Sequence, residues 1–248
     1  MEIHVPAIQP DEIFRLGPLA VTNTVLTSWI ALFVVIAFAV AATRNMRLVP
    51  SGLQNLGELI VEVLLGLAVQ VAGSRARQFL PLVATLFLYI LFANWIGIVP
   101  GVGSWNAQLP WQEGGHIVFR APNSDLSLTA AMAIIVFFSV QIVGIRTNVK
   151  AYFVKFLWPP LIGQLEIIAE FSRPLSLALR LFGNILAGFI LVEIMLQLVP
   201  PLLPVVFLGL ELGVGLIQAL IFAILTLAFL SLASSHGHSE ASPEHSGH

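Results

Sequence analysis

Charged and amide side chains interrupt an otherwise apolar stretch, residues 166–193, with the sequence EIIAEFSRPLSLALRLFGNILAGFILVE. Arg180 lies in its middle, where a guanidinium costs several kcal/mol because it cannot deprotonate inside a protein. At about 100° per residue, one helical stripe collects the polar or small residues Arg173, Ser176, Arg180, Asn184 and Ala187. Such a stripe must face water, a carboxylate or a partner protein, and it is the expected position of an ion pathway.

Further ionisable groups fall within or beside apolar runs. Glu211 lies among closely spaced glycines, which let helices approach each other, and Gln218 follows two turns later on the same face. A carboxylate inside a membrane is by default an ion-handling candidate, although a helix-packing hydrogen bond is the alternative for Glu211. Glu193 is either a channel residue or a polar group near the interface. Glu166 and Glu170 are either channel residues or part of a solvated face.

The composition indicates the class of protein. Of 248 residues, 58% are hydrophobic and 10% are charged, with a mean hydropathy of +0.94, whereas soluble domains carry about 25% charged residues. We therefore predict an all-α polytopic membrane protein. The net charge of −2 predicts no nucleic-acid partner, and the absence of cysteine excludes disulfides and cysteine-ligated metals. We expect neither a cofactor nor a metal.

The apolar runs predict a membrane domain over residues 25–233. It contains about five spans, at 25–43, 78–99, 126–145, 160–198 and 203–233, of which the last two form a long hairpin. Residues 52–73 differ, because Gln54, Glu58 and Glu62 recur at i, i+4 spacing opposite an apolar face. This pattern favours an amphipathic helix lying in the interface or packed on the bundle, rather than a sixth span.

The remaining segments are predicted to lie outside the hydrocarbon. Residues 1–24 form an extracytoplasmic segment that lacks a basic n-region, so we interpret it as a mature terminus. Gly, Pro, Asn and Trp mark a loop at 100–124, and the residues Asn123 to Asp125 are typical of a helix N-cap. Residues 234–248 are expected to form a disordered cytoplasmic tail, in preference to a metal site built from its histidines, His236, His238, His245 and His248.

Basic residues predict the orientation. If each span crosses once, the cytoplasmic segments contain Arg44, Arg47, Arg75, Arg77, Arg146, Lys150 and Lys155, and the outer segments contain only Arg15 and Arg120. This asymmetry places the N-terminus outside and the C-terminus in the cytoplasm.

Four motifs together resemble subunit a of the F-type (Fo sector) ATP synthase. They are SRPLSLALRLFGNILAG at 172–188, IQALIFAILT at 217–226, FANWIGIVPG at 92–101 and PNSDLSLT at 122–129. The resemblance covers residues 20–232 in the same order. It implies a stator subunit whose last two helices lie against the rotating c-ring.

The resemblance also implies roles for individual residues. Arg180 matches the essential arginine that faces the ion-carrying carboxylate of the c-ring, and Asn184 matches the asparagine one turn later. Gln218 matches the glutamine that contacts this arginine from the last helix. Ser176 and Glu166 match polar and acidic positions of the cytoplasmic half-channel.

On the outer side, Glu211 matches a position at which relatives carry a titratable His or Glu. Many relatives have an acidic residue or histidine five residues after the asparagine, where this chain has Phe189. Glu193, one turn later, is a possible substitute, so the choice between Glu193 and Glu211 as the outer relay stays open. Asn94 and Asp125 are weaker candidates for the channel lining.

The function implied is proton translocation through two half-channels, coupled to c-ring rotation and ATP synthesis. The chain has no Walker-type phosphate loop, so it is expected to be non-catalytic. The implied partners are the c-ring, the subunit b peripheral stalk, the rest of the synthase and the bilayer. A bacterial plasma (inner) membrane is favoured over a thylakoid-type membrane. The choice between H⁺ and Na⁺ and the ring size stay open.

A secondary ion-coupled transporter with a midplane charged site is the alternative. Such proteins usually contain an internal repeat with discontinuous helices. The sequence shows no repeat, and its Pro-interrupted points do not correspond between the two halves. A purely structural scaffold would need neither Arg180 nor the polar residues beside it.

Overall fold

The computed structural model describes residues 12–16, 19–99, 120–149, 152, 160–198 and 202–235. These parts of the chain form the helices α1 (Asn23–Thr43), α2 (Leu53–Ala72), α3 (Ala76–Ile96), α4 (Leu126–Thr147), α5 (Pro160–Leu198) and α6 (Leu202–Ser235). Two short strands, β1 (Glu12–Leu16) and β2 (Leu19–Thr22), pair antiparallel before α1. The hydropathy pattern gave no indication of this hairpin, because strand and loop are hard to distinguish in so short a segment. The predicted tail from residue 236 onwards lies outside the described residues, as do Lys150 and Lys155.

Among the described residues, five helical segments are long and apolar enough to cross a membrane: Asn23–Thr43, Leu53–Ile96, Leu126–Thr147, Gly163–Val192 and Val205–Ser235. The prediction of an all-α polytopic membrane protein is thereby confirmed. The segment Leu53–Ile96 contains both α2 and α3, joined by one 3₁₀ turn at Gly73–Arg75. The placement of α2 in the interface stays a prediction.

Helix α2 packs on α1, α3 and α6 through a narrow seam. Its buried residues are Gln54, Leu64 and Ala68, whereas Glu58 and Glu62 are exposed. Gln54 also closes the α1–α2 connection, because its side chain accepts from Arg47 N at 3.0 Å and donates to Arg47 O at 2.9 Å. Gln54, the polar residue nearest the start of α2, therefore stabilises the turn between α1 and α2.

The core lies where α3, α4, α5 and α6 meet. Its fully buried large side chains include Ile90 of α3, Val136 of α4, Leu181 of α5 and Phe222 of α6. Apolar residues in a bilayer need no burial to be stable, so association of such helices depends on close packing. These contacts hold α5 and α6 side by side, with α4 against α5 and α3 against α6.

The end of the long loop packs into the bundle, whereas the position of residues 100–124 outside the hydrocarbon stays a prediction. Residues 120–124 are all buried, with Asn123 fully so. Of the predicted cap residues Asn123 to Asp125, the one that caps α4 is Asp125, whose side chain accepts from Ser127 N at 2.8 Å. Asn123 points elsewhere: it donates to the side-chain oxygen of Asn94 at 2.6 Å. Residues 100–119 lie outside the described part of the chain.

Candidate ion-translocation site

The polar stripe of α5 is largely exposed in the part of the chain that the structure describes. Ser176, Arg180, Asn184 and Ala187 are all exposed, and they are bordered by exposed leucines such as Leu179 (49% exposed). Within the described residues, Arg180 makes no hydrogen bond or ion pair. A permanently charged group in the middle of a spanning helix is thus presented to the surroundings of this chain.

Asn184 and Gln218 connect the stripe to α6. The side-chain amide of Asn184 donates to Oε1 of Gln218 at 2.9 Å. Gln218 is 3% exposed, so its amide is held between the helices. The resemblance implies that Gln218 contacts Arg180, but in the structure the hydrogen bond of Gln218 is to Asn184, one turn after Arg180.

Glu211 shares a cavity with Asn184. A Cβ added to Gly188 would come within 3.2 Å of Glu211 Oε1 and 3.4 Å of its Cδ, so the carboxylate lies directly against the backbone of α5. The cavity has a volume of about 170 Å³ and is lined by Asn184, Gly188, Leu210 and Glu211, among others. A cavity of this size with polar groups in its wall can hold water.

The N-terminal part of α5 carries a network of side chains. Arg173 Nη1 donates to Glu170 Oε1 at 3.2 Å, and its Nη2 lies 3.7 Å from Glu166 Oε1. Glu170 is only 5% exposed, which excludes the solvated-face alternative for it. Arg173 belongs to the predicted polar stripe, and the structure shows it paired with these two acids.

Two residues that the sequence analysis missed hold this network from α4 and the following loop. Gln141 Nε2 donates to Glu170 Oε2 at 3.2 Å, and the Tyr152 hydroxyl donates to Gln141 Oε1. Burial and the nearby Glu170 carboxylate raise the pKa of Tyr152, so its hydroxyl keeps its proton at physiological pH. Gln141 lies in an apolar run with no motif around it, so nothing in the pattern marked it.

A second network joins α3, α4 and α6 at the opposite end. Asn94 donates to Gly215 O at 3.0 Å and accepts from Asn123. The absence of a side chain at Gly215 permits this approach, because an added Cβ would lie 3.0 Å from Asn94 Cβ. Asp125 accepts from Thr24 of α1 at 2.8 Å. Asn94 and Asp125, suggested as channel-lining residues, therefore make interhelical hydrogen bonds.

Phe189 occupies the position at which the resemblance predicts a titratable residue. It is 5% exposed, and the guanidinium carbon of Arg120 lies 4.6 Å above its ring centroid, a distance typical of a cation–π interaction. Arg120 is itself 5% exposed, so this basic residue of the predicted outer segment is buried by protein, while its side of the membrane stays a prediction. Glu193 lies in α5, but its side chain is outside the described part of the structure.

Fold and site together define an integral α-helical membrane protein with an ionised arginine on an outward face and a carboxylate beside an adjacent cavity. The model of the family described as ATP synthase A chain matches residues 25–231. The chain therefore belongs to the ATP synthase A chain family, and the resemblance stated from its motifs is confirmed. The transporter alternative loses its support.

Several curated relatives share most of their length with this chain. The ATP synthase subunit a of Moorella thermoacetica is 36% identical over 93% of this chain and 99% of its own length. The subunit a of Gloeobacter violaceus is 36% identical over 89% of this chain and 87% of its own. A subunit a of a Bradyrhizobium species is 35% identical, with 89% and 92% covered.

Proposed function

We propose that this chain is the stator subunit a of an F-type ATP synthase and that it couples proton movement to rotation of a c-ring. The observation that carries the proposal is Arg180, which is exposed on α5 and has no partner among the described residues. A guanidinium at this depth requires an anionic partner. A carboxylate on each ring subunit, passing along this face, supplies one.

The ion path consists of two half-channels that do not meet. The outer one uses Glu211 and the cavity that reaches Asn184. The inner one uses Ser176 on the exposed stripe and Glu166 at the cytoplasmic end of α5. A proton boards a ring carboxylate from one side, travels with the ring and leaves on the other side.

Arg180 separates these two routes. Its positive charge stabilises the ionised form of a carboxylate that approaches it and repels a proton that would cross directly. The passing carboxylate must therefore release its proton before it reaches Arg180. Each proton driven through 100 mV supplies about 2.3 kcal/mol, so several protons are required for each ATP.

The remaining assignments follow from this function. The chain is a non-catalytic part of the synthase, and its partners are the c-ring, the subunit b stalk and the other synthase subunits. It lies in a bacterial plasma membrane with the N-terminus outside and the C-terminus in the cytoplasm. Of the basic residues that support this orientation, Arg44 and Arg47 are exposed beyond the last turn of α1.

The test is ATP-driven proton pumping in inverted vesicles that contain Arg180→Ala, with the amount of assembled synthase measured in the same vesicles. We expect pumping to be lost while assembly persists. Arg180→Lys should restore little proton pumping, because the lysine ammonium can deprotonate and lacks the planar, paired N–H donors of a guanidinium. The matched control is Arg44→Ala, at the exposed end of α1, which should pump normally. Normal pumping by Arg180→Ala would contradict the proposal.

A further inference from the structure

The second arginine of α5 is turned away from the exposed stripe. Arg173 lies two turns before Arg180, or about 10 Å along the helix axis and nearly on the same face. Its side chain is 23% exposed, and its guanidinium is bound by Glu170 at 3.2 Å and approached by Glu166 at 3.7 Å. It also lies 5.8 Å from the ring centroid of Phe229 in α6. The guanidinium is thus directed into the bundle.

The carboxylate that binds Arg173 is itself held in place. The Glu170 side chain is 7% exposed, and its two oxygens accept from different residues. Oε1 accepts from Arg173, and Oε2 accepts from Gln141 of α4 at 3.2 Å. Gln141 in turn accepts from the Tyr152 hydroxyl. These bonds fix the direction of the carboxylate, because each oxygen is tied to a donor on a different side.

An arginine freed from this arrangement would compete with Arg180. Both guanidinium groups are permanently charged, and attraction between opposite charges is stronger in a low-dielectric surrounding than in water. A mobile carboxylate that passes along α5 would then meet two cations of equal charge. With Arg173 held by Glu170 and Glu166, the one arginine and two acids carry a formal charge of −1 and offer no attraction.

We propose that Glu170, anchored by Gln141, is a positioning residue that retains Arg173 within the bundle, so that of the two α5 arginines only Arg180 meets the ring carboxylate. This inference rests on the proposed function, since it needs a carboxylate that moves past α5. It explains why a buried acid lies at the cytoplasmic end of a helix whose exposed face must present one cation.

The experiment measures ATP-driven proton pumping per assembled synthase in inverted vesicles, for Glu170→Gln and for the double variant Glu170→Gln with Arg173→Gln. We expect the single variant to lose about tenfold, the effect of one lost charge-assisted contact. The double variant should recover most of the rate, because it has no competing cation. A merely structural role would lower the amount of assembled synthase without lowering the rate per complex.

Two further variants make every outcome informative. Gln141→Leu keeps all charges but removes the anchor, and it should lower the rate per complex in the same direction even if Glu170→Gln fails to assemble. Glu62→Gln, an exposed carboxylate on α2, is the matched control and should pump normally. Wild-type rates in both Glu170→Gln and Gln141→Leu, or an assembled double variant that stays slow, would overturn the inference. Arg180→Ala is measured in parallel, because normal pumping there would instead refute the proposed function.

Discussion

Asn184 and Gln218 form a hydrogen bond of 2.9 Å across the boundary between α5 and α6. One partner lies on the exposed face that carries Arg180, and the other is almost completely buried. Neither amide titrates, so the bond does not depend on pH. It therefore holds the face of α5 at a fixed position relative to α6 while charges around it change.

Replacing Asn184 by Leu should destabilise this boundary. The change leaves Gln218 Oε1 buried without its donor, at a cost of about 1–3 kcal/mol. We expect a lower thermal midpoint of the detergent-solubilised synthase and a pumping rate per complex that falls by up to about tenfold.

A double-mutant cycle separates the bond from the individual side chains. If the hydrogen bond carries the effect, Asn184→Leu and Gln218→Leu together should cost less than the sum of the two single changes. Strict additivity would show that the two amides act independently. Ser139→Ala, which removes a hydroxyl bonded to the backbone of its own helix α4, serves as the control.

Gly188 is expected to be sensitive to added volume. An alanine Cβ would lie 3.2 Å from Glu211 Oε1 and 3.5 Å from its Cγ, so the carboxylate must move a few tenths of an ångström towards the cavity. Gly188→Ala should assemble and pump more slowly, and Gly188→Val should be worse, because valine adds two methyl groups at the same point. The measurement is pumping per assembled complex.

Gly66 offers a matched control for this prediction. It is also a helical glycine, but a Cβ there meets nothing within 4 Å. Alanine at 66 should leave pumping unchanged and raise stability slightly, by about 0.5–1 kcal/mol. Equal behaviour of Gly188→Ala and Gly66→Ala would contradict a role for the close contact with Glu211.

Glu211→Gln should abolish most proton pumping while preserving assembly. Glutamine keeps the size of the side chain and one acceptor oxygen, but its amide cannot take up and release a proton. Because Glu211 is half-buried against α5, a neutral side chain of the same size fits this apolar site and should not impair folding. Full pumping with Gln at 211 would direct attention to Glu193 as the outer relay, and Glu193→Gln would then be measured in the same assay.

Asp125→Ala should lower stability more than it lowers transport. The change removes the cap of α4 and the bond from Thr24 of α1, both at 2.8 Å. Loss of an N-cap costs about 0.5–2 kcal/mol, and the interhelical bond adds to this. We expect the thermal midpoint of the synthase to fall by several degrees in the Ala variant.

A second substitution at the same position distinguishes hydrogen bonding from charge. Asp125→Asn keeps one oxygen to accept from Ser127 N, and its NH2 group can donate to the Thr24 hydroxyl in place of the second oxygen, so its thermal midpoint should stay close to that of the unmodified synthase. Thr85→Ala removes an exposed hydroxyl that bonds to the backbone of its own helix α3 and is the control. If Asp125→Asn lowers the midpoint as much as Asp125→Ala does, the negative charge matters instead of the hydrogen bonds.

The helices and the α5 stripe could be predicted because their signals are local. Apolar runs of spanning length mark helices, and the spacing of Ser176, Arg180 and Asn184 marks a face. The resemblance placed Gln218 beside this face but paired it with Arg180, and the hydrogen bond to Asn184 is seen only in the structure, because no periodicity within one helix shows which face of α6 meets α5.

What the sequence did not reveal depends on contacts between distant segments. Gln141 and Tyr152 acquire a role only because α4 packs on α5 and brings Glu170 within reach. Arg120 lies in a segment whose composition is typical of a loop. It is nevertheless buried against the ring of Phe189, because the end of this loop packs into the bundle. A count of the basic residues in each predicted loop cannot show that one of them is buried.

The outward position of Arg180 also has a consequence for the biogenesis of the synthase. A newly inserted copy carries a cation towards lipid, at a cost of about 2.5–3.5 kcal/mol on insertion scales. On the proposed function, docking of the ring would remove this penalty, so the residue proposed to separate the half-channels would also favour completion of the complex. An orphan subunit differs from an assembled one by an unneutralised charge in the bilayer, which gives cellular quality control a physical criterion for distinguishing them.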